Sequence, residues 1–375
     1  PHVGLTRKRL DGQLFEVSLD DLRFTKSEMS VFCHMCNLEL DSVAAQELAK
    51  RIDGWAIGLR ALQYLSSCVD DATFDTPGYW KRFDAFVFEY LQDEVLRHFP
   101  QSVSALCAVA ACLGEFSSEV AAWVLRWSLA EVDACMGVLL DCRIVSEGEF
   151  DVDGRKLYRC ASLLRYAFRG RPAARAGIRF SHAMRRAASW YEDAGDYDRA
   201  VHSAAQARDW DGVAQIIHAR WRLLLAEDEL PRLRSWIDCL PFDYVRSRMK
   251  LCIIAALPYC VTGDMERGFA LLRRVSADLR NDGDDLAALF YAQRALCLSL
   301  RGDAHVCEEA ARALDLLPEW EDYLRAVILQ VLGASQSFED PGSAREALLR
   351  SARDLRGAGL RNPLCSAYAN LAAIE

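Results

Sequence analysis

The chain has 375 residues, 52% of them hydrophobic and 26% charged, a balance that belongs to folded chains with a real core and excludes general disorder. Its 45 basic against 54 acidic residues leave a formal charge of −9, which works against the counterion release that nucleic-acid surfaces depend on. The longest apolar run, LCIIAALPYCV from Leu251, is about half a membrane span and contains Pro258, so neither a membrane segment nor a signal peptide is expected.

In chain order, LFEV at Leu14–Val17 alternates as one short strand would, and Thr25 followed by Glu28 has the capping-box spacing of a helix start. MSVFCHMCNLEL, SVAAQELAKRI and GWAIGLRALQYL then read as three short amphipathic helices, and DDATFDTPGYW, with Pro77 and Gly78, as a linker. From Arg82 to about Arg171 come four helical patterns. The period then changes: RIVSEGEFDVDGRKLYRC alternates around an Asp153-Gly154 hairpin turn, and ASLLRYAFRG closes the block as a helix. That order is the order of a winged helix, a fold that also serves as a packing module.

Beyond Pro172 no strand signal survives. Helix pairs are separated by Gly-Asp turns at Gly195, Gly263 and Gly302, with DPGSAREA from Asp340 as a weaker fourth copy. The first interval, Gly195 to Gly263, is twice the tetratricopeptide period of about 34 residues. Each pair combines a helix-ending glycine with an N-capping aspartate, and Ala200, Ala270 and Ala310 lie where adjacent helices must approach closely. Trp190, Tyr191, Trp210, Trp221 and Trp236 are candidates to fill the gaps between stacked pairs. The expected fold is therefore mostly α: a helical lid and a winged helix, followed by a tetratricopeptide-like α-solenoid.

Motifs with chemistry are few. CHMC, Cys33 to Cys36 around His34, has a metal-like spacing, but zinc needs four converging ligands and no second CxxC or HxxxH exists. On a helix only the two cysteines share a face, so the pair reads as core, with metal or redox chemistry as the other reading. No paired-carboxylate, GxSxG, HExxH or GxxxxGK[ST] pattern is present, which leaves no catalytic or metal residue to name and no enzyme activity expected of this chain. Fourteen cysteines, mostly in apolar helical runs such as ALCAVAACL, imply reduced core thiols and a cytoplasmic setting. RKLYR from Arg155 and RSRMK from Arg246 are short basic clusters in an acidic chain. DGWAIGLRAL, Asp53 to Leu62, carries Gly54 and Gly58 in an otherwise helical pattern, and each glycine costs about 1 kcal/mol relative to alanine there. Close packing of another backbone, or close approach of a ligand, would offset that.

The order of these motifs resembles the MalT-like large ATP-dependent LuxR-family transcriptional regulators, a group of STAND ATPases. WYEDAGDYDRAVHSAAQARDWDGVAQII, Trp190 to Ile217, resembles the segment that enters their superhelical repeats. LRFTKSE with DGWAIGLRAL resembles their helical lid, and EYLQDEVLRHFP the start of their winged helix. The resemblance implies four parts: residues 1–24 end a nucleotide-binding domain, 25–80 form the lid, 81–171 the winged helix and 172–375 the sensor repeats. It implies a signal-sensing and autoregulatory role, with a small-molecule or protein inducer on the repeats, self-association on activation, and DNA contact only through a domain outside this chain. Pro1 in place of methionine and Glu375 inside a helical pattern suit a segment that lacks both the P-loop and that DNA-binding domain. No cofactor is expected in the segment itself; ATP or ADP would belong to the full-length protein. Gly54 and Trp55 would lie nearest the base or ribose, or else pack between domains, and the lid motif's proline is missing here. Where relatives carry a phosphate-sensing histidine this chain has Ala161, which weakens the off-state lock or marks drift from nucleotide control; Arg159 and Arg165 are the candidate substitutes. The alternative reading is a tetratricopeptide-like interaction scaffold with no transcriptional role.

Overall fold

The computed structural model describes residues 19–68, 74, 77–169, 179–279, 284–318, 321–337, 339–357 and 361–374. The strand expected at Leu14–Val17, and most of the part expected at 1–24, lie outside the described residues. The chain divides into two compact units, Pro1–Asp196 and Tyr197–Glu375. No helix among the described residues is long and apolar enough to cross a membrane.

Unit 1 begins with short helices α1 (Leu19–Leu22), α2 (Lys26–Met35), α3 (Ser42–Ile52) and α4 (Ala56–Ser67). The capping box forms as spaced: Thr25 N donates to Glu28 Oε2 at 2.8 Å, and Glu28 N donates back to Thr25 Oγ1 at 3.3 Å. Asp41 caps α3 by accepting from Ala44 N at 2.7 Å. Met29, Leu48, Ile52, Leu59 and Leu62 turn their apolar faces inward. One boundary differs from expectation: Pro77 and Gly78 open helix α5 (Pro77–Tyr90) and do not belong to a linker. Proline suits the first helical position because its missing N–H has no intrahelical partner to lose. Beyond Tyr90 the chain widens into a π turn at Leu91–Val95 and tightens into a 3₁₀ turn at Leu96–His98.

Next come α6 (Gln101–Leu113), β1 (Glu115–Ser117), α7 (Ser118–Leu125), α8 (Leu129–Asp141), the hairpin β2 (Val145–Phe150) and β3 (Lys156–Cys160), and α9 (Ser162–Phe168). The sheet is antiparallel in the order β1-β3-β2, with Glu115 opposite Arg159 and Val145 opposite Cys160. Helix α6 is buried from Val103 to Cys112 and forms the centre on which α7, α8 and α9 pack. The hairpin turns where expected: the Asp151 carboxylate accepts from the backbone of Asp153 at 3.0 Å and Arg155 at 2.7 Å. Helix α10 (Phe180–Asp193) packs on α6 and α7, and the boundary between the two units falls after it.

Unit 2 is a stack of α-hairpins: α11 (Tyr197–Gln206), α12 (Trp210–Ala226), α13 (Leu230–Asp238), α14 (Phe242–Arg246), α15 (Met249–Val261), α16 (Met265–Asp278), α17 (Asp284–Arg301), α18 (Val306–Leu316), α19 (Asp322–Gln336), α20 (Pro341–Gly357) and α21 (Arg361–Ile374). From α15 onward each odd-numbered helix packs on the helix that follows it and on the next odd-numbered one, the contact pattern of a solenoid. The Gly-Asp turns end helices as expected, but the aspartate does not always cap the next one: Asp264 caps α16 by accepting from Arg267 N at 3.2 Å, whereas His305 and not Asp303 stands at the N-cap of α18. Gly195, Gly263 and Gly302 sit at φ 79°, 94° and 66°, and the next aspartate N–H donates back to Tyr191, Tyr259 and Leu298. Trp221, Trp236 and Tyr191 are buried as expected of gap-fillers, while Trp190 and Trp210 are only half-buried.

Candidate functional site

The DGWAIGLRAL segment is a sharp turn followed by a helix. Ile52 ends α3, Asp53 and Gly54 take left-handed φ of 45° and 77°, and Trp55 is the N-cap residue of α4. Gly54 therefore lies in the turn and not in a helix. A Cβ on it would stand 2.8 Å from the Phe24 carbonyl oxygen and 2.9 Å from Arg23 Cβ; the Gly54 carbonyl accepts from Phe24 N at 2.9 Å. Gly58 is within α4, where a Cβ would stand 2.2 Å from Ile52 Cγ2 and 3.5 Å from Leu163 Cδ1. Both glycines admit the protein's own chain. Trp55 is half-buried, and its indole N–H is buried without an acceptor among the described residues.

Two residues before this segment lies one the sequence did not single out. The Arg51 guanidinium pairs with Asp84 at 2.5 Å and Glu47 at 2.8 Å, and it lies 5.1 Å from the Trp80 ring centroid and 4.5 Å from that of Tyr166. Two carboxylates and two rings thus hold a largely buried cation that ties α3 to α5 and α9. Of those partners, only Glu47, four residues before Arg51 on the same helix, was visible as a local pattern.

Ala161 caps α9, buried, with its N–H donating to the Ile144 carbonyl at 3.0 Å. Of its candidate substitutes, Arg159 is ion-paired with Glu115 at 2.9 Å, and Arg165 covers Gly114, where a Cβ would stand 2.6 Å from its Nε. The surrounding charges oppose nucleic-acid contact. Helix α8, second of the two helices before the hairpin, carries Glu131, Asp133 and Asp141 and no basic residue. Lys156 pairs with Glu147 at 2.5 Å and Arg155 with Asp153 at 2.7 Å, which neutralises the RKLYR cluster. In RSRMK, Arg248 pairs with Asp211 at 3.0 Å. Cys33 lies buried in α2, its thiol pushed up by burial and then by Cys36, with His34 exposed beside it. Among the described residues no three histidine, cysteine or acidic side chains converge as metal ligands would.

Unit 2 repeats one polar device that composition did not reveal: an aspartate held by an arginine and, from a later helix, by an aromatic residue. Asp198 accepts from Arg232 at 3.0 Å and from Trp236 Nε1 at 2.6 Å. Asp211 accepts from Tyr244 at 2.5 Å and from Arg248 at 3.0 Å, and Asp238 accepts from Tyr259 at 2.8 Å and Arg234 at 3.3 Å. Burial raises the Asp198 carboxyl, but the hydrogen bonds from Arg232 and Trp236 outweigh it and hold the group below its ordinary value. The bond from Tyr244 lowers Asp211, and burial plus that same bond pushes the Tyr244 hydroxyl up to about 12. These carboxylates are committed acceptors, so the arrangement fixes helices against each other and offers no free base. Further along, Arg222 on α12 makes a two-pronged contact with Glu321 beside α19, Nε to Oε2 at 3.3 Å and Nη2 to Oε1.

Taken together, the chain is an α-helical repeat protein whose stack follows a helix-and-hairpin unit. It is similar to the HTH-type transcriptional regulator MalT of Cronobacter sakazakii, 24% identical over 343 residues, covering 89% of this chain and 37% of that protein. The resemblance drawn from the motifs is thus borne out, and the chain spans a little over a third of that relative. A solved STAND protein with a tetratricopeptide repeat sensor, from Pyrococcus horikoshii, is 12% identical and covers 94% of this chain and 57% of its own, with a TM-score of 0.44. No protein-family model matches the chain.

Proposed function

We propose that this chain is the signal-sensing and autoregulatory part of a MalT-like LuxR-family transcriptional regulator, with ligand binding on the unit 2 repeats controlling activation. The observation that carries the reading is the similarity to MalT, which runs through 89% of the chain and so through both units, and not through a repeat alone. The helix, strand and hairpin order of residues 101–168 supports a winged helix used for packing, since its α8 is acidic and its hairpin cations are paired. DNA contact then belongs to a domain outside this chain, and ATP or ADP to the full-length protein, with Trp55 as the residue here that would face it. The inducer is a small molecule or a protein, activation proceeds through self-association, and the setting is cytoplasmic. The chain itself is not an enzyme.

The physical requirement is a two-state interface that the inducer biases by binding one state more tightly. Moving it from 1:99 to 99:1 takes a differential of about 5.5 kcal/mol. Purified chain is expected neither to retard DNA nor to hydrolyse ATP, and its hydrogen-exchange protection is expected to rise between residues 197 and 374 when a metabolite pool raises its melting temperature. ATP turnover in a clean preparation, or a DNA shift that survives physiological salt, would overturn the reading.

A further inference from the structure

Within unit 1, α7, the turn after it, the start of α8 and the helix α10 surround an open cavity of about 440 Å³, a volume in the range of small-ligand sites. Three indoles line it, those of Trp123, Trp127 and Trp190, and Glu119, Arg126 and Arg186 supply its charge. The backbone explains how they meet. Arg126 ends α7 at φ 60°, and Trp127 N donates back to the Ala122 carbonyl at 3.0 Å, a helix stop of the kind glycine usually makes. From α10, Arg186 donates Nε to the Val124 carbonyl at 3.1 Å and Nη2 to that of Trp123, capping α7, and its guanidinium lies 5.5 Å from the Trp123 ring centroid. Trp190 follows one turn along α10, with Arg155 at 5.2 Å from its ring centroid.

Capping and packing explain Arg186, but not the rest. Trp123 stays 45% exposed. Arg126 has no ion pair or side-chain hydrogen bond among the described residues, and none of the three indole N–H groups meets an acceptor there. Glu119 shares the cavity yet pairs with neither arginine. Burial, and then the charge of Arg126, lower the pKa of Arg186, so the two cations feel each other. Among the lining side chains the free polar capacity is mostly donor, with two cations against the one carboxylate of Glu119, set among flat aromatic walls that favour ring contacts.

We propose that this cavity is a binding site for a small planar aromatic carboxylate, its ring against the tryptophans and its carboxylate on Arg126 and the free edge of Arg186. The site is separate from the repeats, so it stands whether or not an inducer binds there.

Isothermal titration of the whole chain with 2-naphthoate, 2-naphthylmethanol and 2-naphthylmethylamine tests it. The carboxylate is expected to bind about tenfold more tightly than the alcohol, as a charge-assisted contact to arginine would give, and the amine more weakly than either. Arg126→Gln should remove that tenfold preference and leave the alcohol unchanged. Trp123→Ala should weaken both. Both positions are on the surface, and an unchanged melting temperature shows that each variant is folded. The proposal is overturned if the amine binds as well as the carboxylate, if Arg126→Gln binds naphthoate like the parent chain, or if naphthoate gives no heat at about 1 mM, the weak limit of a specific site.

Discussion

Replacing Gly58 with alanine sets two effects of opposite sign against each other, and the structure decides which wins. Alanine gains about 1 kcal/mol of helix propensity over glycine. Against that, the new methyl would stand 2.2 Å from Ile52 Cγ2 and 2.7 Å from Ile52 Cβ. Ile52 is fully buried at the end of α3, and its Cβ cannot swing away without moving the backbone. Overpacking of this kind costs about 1–3 kcal/mol, and a fixed β-branched neighbour puts it at the upper end. The net loss is then about 1–2 kcal/mol. For a unit of this size that lowers the melting temperature by about 3–6 °C, read by calorimetry on the whole chain. Gly137 supplies the matched control: it lies mid-helix in α8, and a Cβ there meets nothing within 4 Å. Gly137→Ala should therefore raise stability by about 1 kcal/mol. If Gly58→Ala melts at or above the parent chain, close packing is not why this helix holds a glycine.

Two further outcomes follow from the polar contacts of unit 2. Removing Arg222 as methionine leaves Glu321, whose side chain is 8% exposed, without its cation; because Arg222 itself is partly exposed, the loss should be about 1–2 kcal/mol, and a double-mutant cycle with Glu321→Gln should give a coupling near 1 kcal/mol where additivity would refute the pairing. Stability should also fall with acid in two steps. Burial, then Lys250 and Arg248, lower the His218 pKa, so its contribution is present above about 6.5 and is lost as pH falls through the folded value. Asp198 is lowered too, and its share is present above about 4 and lost at lower pH. His218→Gln should flatten the first step of a urea-melt series and Asp198→Asn the second; unchanged curves would refute the assignment.

The solenoid was legible where its turns use glycine and hidden where they do not. Gly195, Gly263 and Gly302 announce helix ends because glycine takes positive φ freely. The equivalent ends at Arg208 and Asp228 take φ of 56° and 62° without glycine, and Asp209 and Glu229 then donate back to Ala204 and Leu224 in the same way. The long interval between Gly195 and Gly263 conceals those two turns. Strand β1 escaped because three residues carry no period, and it exists through pairing with β3, far along the chain. The glycines of DGWAIGLRAL were a legible anomaly, but the atoms that explain them belong to Phe24, Arg23 and Ile52. Arg51 shows the general limit: its rings, Trp80 and Tyr166, meet it only once three helices have packed.

The Arg222–Glu321 contact bears on how a helical stack responds as one body. In a solenoid each hairpin touches its neighbours, so a perturbation at one end decays unless something links distant layers. Here the link joins residues 99 apart in sequence, α12 on one side and the start of α19 on the other, with the six helices α13 to α18 between them in the chain. Local sliding of one hairpin is thereby opposed by a contact between distant parts of the chain. Breaking that contact is a discrete event, because a two-pronged guanidinium–carboxylate pair loses its geometry over a short displacement. A ligand that binds more tightly with the pair open, or with it closed, would shift the stack between two states and not bend it by degrees.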